Sequence, residues 1–189
     1  MKNICVYCSS SDRLEEHYYK LGRDLAEQIV VNNYALVWGG SDDGLMGVVA
    51  KSVKDLGGNT IGIVPKFLPA SKYADQVFTA RNMHERTDLM EEKSDAFICL
   101  PGGFGTTEEV LGVIDTKLHR RHNKPIIFLS SNNFFEHLIA QFKFMFSEGT
   151  IKREFEEAYF VACNSKEAFD YISNYVPIDL PQKNKLAED

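Results

Sequence analysis

The residues Pro101-Gly102-Gly103-Phe104-Gly105-Thr106-Thr107-Glu108-Glu109 form the most chemically suggestive stretch of the chain. They follow an apolar run and open a stretch with helical spacing. Gly102, Gly103 and Gly105 let the backbone turn sharply and approach a ligand closely. Thr106 suits the N-cap position. Free backbone N–H groups and the helix dipole then make a site for an anion, most simply a phosphate. A tight strand-to-helix turn with no ligand satisfies the same spacing. Glu108 and Glu109 fall in the first helical turn, where acids are favoured by the dipole alone. Adjacent helix residues point about 100° apart, so only one of the two can face a given ligand. A carboxylate one turn along from a phosphate would reach the sugar.

A second glycine turn, Gly39-Gly40-Ser41-Asp42-Asp43-Gly44-Leu45-Met46-Gly47, also separates an apolar run from a helical stretch. It suits a phosphate or sugar, and equally close packing of helix on sheet. Arg86, in Met83-His84-Glu85-Arg86, is a fixed cation with a fork of donors suited to phosphate or carboxylate. By composition alone it reads as a solvated surface residue. Cys5-Val6-Tyr7-Cys8 is formally a Cys-x-x-Cys motif. It lies in an expected strand, where side chains three apart point to opposite faces, not at the helix N-terminus that activates a thiol. No Cys/His cluster has metal-ligand spacing, so no metal site is expected.

These residues must be held by the elements around them. Short apolar runs at 3–8, 34–38, 60–64, 77–80, 96–100, 125–129 and 159–163 read as strands. Between them, 18–29, 45–56, 83–93, 106–120, 134–147 and 168–175 read as helices, and 66–76 as a loop broken at Pro65 and Pro69. This alternation predicts an α/β fold: a Rossmann-like, doubly wound, mainly parallel sheet with helices on both faces. Ligands of such sheets bind beyond the carboxyl ends of the strands. One Rossmann-like domain is expected over 1–180, followed by a polar tail over 181–189.

The 189 residues are 44% apolar and 25% charged, which excludes disorder, collagen and coiled coil as whole-chain readings. No apolar run reaches the roughly 20 residues of a membrane span. With 21 basic and 27 acidic residues the net charge is −6, so no overall footprint for nucleic acid or anionic lipid is present. Four cysteines without a secretion signal read as free thiols, and the cytoplasm is the expected location.

In these motifs the chain resembles the LOG (Lonely Guy) family, often labelled lysine decarboxylases. Residues 101–109 match its Pro-Gly-Gly-x-Gly-Thr-x-x-Glu signature, and 39–47 match its Gly-Gly-x-x-x-Gly-Leu-Met-Gly turn. Met83 to Arg86 matches its helix-opening Met-His-x-Arg, and Cys8-Ser9-Ser10 its first strand-end turn. The likeness runs over about residues 2–176. It implies a cytokinin riboside 5′-monophosphate phosphoribohydrolase, which releases a base and ribose 5-phosphate. It also implies a homodimer or larger assembly with active sites near the interface, and no bound cofactor. By that resemblance Arg86 and Glu109 are the catalytic pair. Ser9, Gly39, Gly40, Met83, Gly102, Gly103, Phe104, Gly105, Thr106, Thr107, Glu108 and Asp115 are then the substrate-binding residues. The chain departs from the family pattern at Thr87, where many members have Lys, and in a shorter 65–81 loop with Ser71 near a common substrate-binding Glu. Both changes bear on the base, so AMP and an N6-substituted nucleotide remain equal candidates.

The alternative from another class is a nucleotide-binding module without turnover, which would not depend on Glu109. A lysine decarboxylase would need a Schiff-base lysine. None lies within the glycine motifs, which leaves Lys93 and Lys117 to be placed. The aromatic stretch with Phe134, Phe135, Phe142, Phe144 and Phe146 reads as a helix packed on the sheet or, in part, as a dimer contact.

Overall fold

Apolar runs too short for helices and rich in Val, Ile and Phe pair as strands, because each side chain then finds a covered face. In the computed structural model, which describes residues 2–180, seven strands form one sheet. They are β1 (Lys2–Tyr7), β2 (Tyr34–Trp38), β3 (Asn59–Pro65), β4 (Gln76–Ala80), β5 (Ala96–Cys99), β6 (Ile126–Leu129) and β7 (Phe160–Ala162). Their order is β4-β3-β2-β1-β5-β6-β7, and every neighbouring pair is parallel. The helices are α1 (Glu16–Val31), α2 (Gly44–Asp55), α3 (Met83–Glu92), α4 (Phe104–Leu118), α5 (Glu136–Ser147) and α6 (Ser165–Ser173). The tail expected over 181–189 lies outside the described residues.

Strand periodicity divides the core in two. Ile4, Val6, Leu36, Trp38, Ile98 and Ile127 pack with Leu25, Ile29, Val49 and Phe169 of α1, α2 and α6. Cys5, Tyr7, Val37, Phe97, Cys99 and Phe128 face the other way, onto Met90, Val110, Val113 and Phe142 of α3, α4 and α5. Cys5 and Cys8 therefore belong to opposite faces, and both are buried free thiols. Burial pushes the Cys5 thiol up to about 12 and raises Cys8 as well. A buried thiol held protonated is a poor nucleophile, which removes the redox reading.

The expected elements are present, with differences at their ends. α4 opens at Phe104, not Thr106, and its N-cap is Gly103. Thr106 is thus inside the helix and caps nothing. α5 opens at Glu136, after a turn in which Asn132 and Asn133 take the left-handed conformation. α6 opens at Ser165, where Asn164 accepts a hydrogen bond from the Glu167 N–H. A 3₁₀ turn over Arg153–Ala158, absent from the sequence reading, packs Phe155 against Leu118. The aromatic stretch is split by its geometry. Phe135 and Phe142 meet Phe128 at 5.1 and 6.1 Å between ring centroids, while Phe144 is exposed.

The 66–75 loop beside the glycine turns is tied down at its far end. Thr60 donates its backbone N–H (3.0 Å) and its hydroxyl (3.0 Å) to the Asp75 carboxylate, which also pairs with Lys54. Ser71 is buried, donates to the Asp42 carboxylate and accepts from the Tyr73 N–H at 3.0 Å. Lys54, and then Thr60, hold the Asp75 carboxyl below its ordinary value of 3.8. A lowered carboxyl stabilises the fold above that ordinary value and loses its contribution as pH falls through the lowered one. Because Asp75 is exposed and solvent screens its pair with Lys54, Asp75→Asn should cost only about 0.5–1 kcal/mol at pH 7 in urea unfolding. The difference from the native protein should close as pH is lowered below the ordinary carboxylate range.

Candidate active site

The strand order reverses at β1. The connections through α1 and α2 run to one side of it, and β5 lies on the other. A crevice must open where those connections part, beyond the carboxyl ends of β1 and β5. Here the second residue past β1 meets the second residue past β5: the Ser9 N–H donates to the Pro101 carbonyl at 3.2 Å. Ser9 also accepts at its carbonyl from the Met46 N–H at 3.2 Å, so one residue knits three strand-end turns.

An open cavity of about 440 Å³ occupies this crevice. That volume is in the range of small-ligand sites. Its walls include Ser9, Met46, Met83, Arg86, Gly103, Gly105, Thr106, Glu108 and Glu109. The Gly103 N-cap supplies no side chain to the first N–H groups of α4. These groups have no partner within a helix, and at this end the dipole is positive. The Thr107 hydroxyl and N–H both turn back to the Gly103 carbonyl, at 3.1 and 3.0 Å. Gly102 lies against Thr106, since an added Cβ would stand 2.6 Å from the Thr106 Cβ. The turn thus presents backbone donors to the cavity, a geometry suited to phosphate.

Arg86 and Glu109 meet at the wall of the same cavity. Asn82 caps α3 by accepting from the Glu85 N–H at 3.0 Å, which fixes where Arg86 leaves the helix. Arg86 Nη1 donates to Glu109 Oε1 at 2.6 Å, with side-chain exposures of only 8% and 12%. Burial raises the Glu109 carboxyl above its ordinary 4.5, and Arg86 works against that rise. Glu108, next in sequence, is exposed and lines the cavity from another angle. The pair assigned to Arg86 and Glu109 by resemblance is therefore in contact.

Not every expected site residue joins them. Gly39 and Gly40 line an adjoining cavity of about 200 Å³ together with Asp42, Val64, Leu68 and Ser71. Phe104 sits at the start of α4 with 98% of its surface exposed. Asp115 stands three turns along α4, paired with His119 at 3.2 Å. Thr87 directs its hydroxyl to the Met83 carbonyl of its own helix at 3.2 Å. Among the described residues no group of three or more His, Cys, Asp or Glu is placed to hold a metal ion. Met46 joins the cavity wall without having been singled out, although it lies inside the second glycine motif.

Comparison with known proteins now decides the family. The sequence model of a family described as "Possible lysine decarboxylase" matches residues 46–172. Cytokinin riboside 5′-monophosphate phosphoribohydrolase LOG5 of Arabidopsis thaliana is 35% identical over 182 residues, covering 94% of this chain and 80% of that protein. The chain belongs to the LOG family. In solved structures the same fold recurs in TM1055 (TM-score 0.74, 20% identity, 93% of this chain and 100% of that one). It recurs also in the molybdenum cofactor carrier protein of Chlamydomonas reinhardtii (TM-score 0.71, 22% identity, 91% and 96%).

The decarboxylase description does not fit the site of this LOG-family chain. No lysine lines the main cavity. Lys93 caps the C-terminal end of α3, and Lys117 lies near that of α4. Lys117 is thirteen residues past Phe104, about 20 Å along the helix at 1.5 Å per residue. It is buried there, donating to the Lys124 carbonyl at 3.0 Å and the Tyr175 hydroxyl at 2.8 Å.

Gly40 is bound to its conformation: φ is +69°, and an added Cβ would overlap the Val64 side chain. Gly112, mid-helix in α4, has nothing within 4 Å. Gly40→Ala should lower stability by about 1–3 kcal/mol, while Gly112→Ala should raise it by about 0.5–1 kcal/mol. Urea unfolding of the two variants checks both signs.

Proposed function

We propose that this LOG-family protein is a phosphoribohydrolase acting on a nucleoside 5′-monophosphate. Water attacks C1′ of the ribose, the C1′–N glycosidic bond breaks, and the products are free base and ribose 5-phosphate. The observation that carries the reading is the buried Arg86–Glu109 pair opening onto the same cavity as the uncapped N-terminus of α4. The names of the curated relatives point to the same activity.

The chemistry divides between those two features. The free backbone N–H groups from Gly103 to Thr106 hold the 5′-phosphate, the Thr107 N–H being taken up by the Gly103 carbonyl. Ser9, Met83, Gly105 and Glu108 border the bound nucleotide. Cleavage builds positive charge on the ribose, as in glycoside hydrolysis. Glu109 stabilises that charge as a carboxylate and orients or deprotonates the attacking water. Glu109 takes the water's proton as the hydroxyl joins C1′, and that proton ends, through solvent, on the departing base nitrogen, which restores the carboxylate. Arg86 keeps Glu109 ionised against the effect of burial. No resident cofactor enters the scheme. The base is a cytokinin base or plain adenine, and AMP and N6-isopentenyl-AMP distinguish the two. We place the enzyme in the cytoplasm, since its four cysteines are free.

Incubation with each nucleotide, followed by chromatography of the products, tests the reading. We expect free base and ribose 5-phosphate from at least one of them. Glu109→Gln should lose on the order of 10³-fold in rate while keeping its fold at reduced stability, because Gln keeps the shape and an oxygen that accepts from Arg86. The rate of the native protein should fall as pH drops through a value above 4.5, since Glu109 must be ionised and its carboxyl is raised. Binding of AMP without cleavage would favour a nucleotide-binding module. Full activity in Glu109→Gln would move the catalytic role to Glu108.

The protein is also proposed to act as a homodimer or a multiple of it. Phe104 and Leu111, two turns apart on one face of α4, and Met83 at the start of α3 all leave apolar surface bare beside the cavity. A second copy would cover them. Light scattering should give at least twice the 21.4 kDa chain mass, and a monomer mass would contradict this part.

A further inference from the structure

Gly39 stands immediately after β2, between the strand end and α2. It does not line the main cavity. Its significance lies in what rests on it. A Cβ added there would overlap the Arg86 guanidinium, at 2.7 Å from Arg86 Cζ, and would stand 2.7 Å from Met46 Cε. The guanidinium lies against bare backbone in space that any other residue would fill. Unlike Gly40, Gly39 does not take a left-handed backbone, so an alanine is compatible with its conformation. The atoms in the way are the ends of two flexible side chains, which can move without disturbing the sheet.

We propose that Gly39 is a positioning residue: it forms the seat that holds the Arg86 guanidinium on Glu109, and acts on the reaction only through Arg86. The seat gives Arg86 its place from three directions. α3 delivers the side chain, α4 supplies the carboxylate 2.6 Å away, and the end of β2 supplies the flat floor. A planar guanidinium can use such a floor, whereas a methyl group there lifts it off. The proposal deepens the hydrolase reading, but its physical core does not need turnover to be tested.

The Glu109 carboxyl reports whether Arg86 is seated. The charged groups acting on it are Arg86 from α3 and Glu108 from α4. Cys5 and Tyr7 of β1, Cys8 beyond it, and Cys99 of β5 also lie within its field. Of these, Arg86 alone lowers its titration, so unseating Arg86 raises the midpoint.

The experiment compares the full chain as native protein, Gly39→Ala, Arg86→Ala and the double variant. Carbon-13 NMR follows the Glu109 carboxyl, assigned by its loss in Glu109→Gln, and thermal unfolding is recorded for each. We expect Gly39→Ala to fold and to raise the Glu109 midpoint to the value found in Arg86→Ala. The double variant should match Arg86→Ala alone, since nothing remains to be displaced. Where turnover is measurable, Gly39→Ala should lose on the order of 10²-fold, with no further loss when added to Arg86→Ala.

An unchanged Glu109 midpoint in Gly39→Ala would overturn the proposal. So would effects of the two substitutions that simply add. Should Gly39→Ala alone fail to fold, recovery of folding in the double variant would support the seat, because it removes the clashing group. Failure of both to fold would overturn it. A native protein without hydrolase activity would defeat the functional reading and leave the titration test of the seat intact.

Discussion

A guanidinium and a carboxylate 2.6 Å apart, both almost removed from water, set the terms for the rest of this structure. Each charge depends on the other in such a place: removing one partner of a buried pair leaves the survivor poorly solvated and costs stability. The Arg86–Glu109 pair therefore locks α3 to α4 at one end of the sheet. It also keeps as an anion a carboxyl that burial pushes toward its neutral form. For a reaction that gathers positive charge on a sugar, an ionised carboxylate in a sheltered wall is worth more than the same group in bulk water.

The sheet explains why the pair sits where it does. With β1 at the centre and the chain crossing to β5 on its other side, the turns after β1 and β5 and the start of α2 converge on one crevice. Ser9 binds the first of these to the other two through backbone hydrogen bonds to Pro101 and Met46. Two kinds of electrostatic element then share that crevice. One is a fixed side-chain pair, and the other is the dipole and bare N–H groups at the start of α4. In the proposed reading a nucleotide would divide between them, its phosphate on the helix end and its glycosidic carbon toward Glu109. The Lys117 amine, by contrast, is committed to holding the Lys124 carbonyl and Tyr175 about 20 Å from the helix end, given 1.5 Å per residue.

Much of this was legible in the residues. Strand runs without polar interruption, glycines at strand ends and the alternation of periods specified a doubly wound parallel sheet. Gly102 to Thr107 was readable as an anion turn because backbone freedom and helix onset are local properties. Element starts were less legible. Thr106 has a capping side chain, yet the helix begins two residues earlier, because Gly103 already has the extended backbone of an N-cap residue. At α6 the Asn164-x-x-Glu167 pattern carried the signal for a start three residues before the one expected. Contacts between distant elements were beyond local reading. Alone, Arg86 reads as a surface residue, and only the resemblance placed it with Glu109. Gly39 as the floor under Arg86 had no sequence signal at all, because a missing side chain shows its purpose only once its neighbour is in place.

The most direct test of the central claim is a crystal structure of Glu109→Gln, which keeps the shape of the site, with AMP bound. The account predicts the phosphate within hydrogen-bond distance of the first N–H groups of α4 and the ribose C1′ against residue 109. A phosphate bound elsewhere, or a ribose turned away from that side chain, would contradict it.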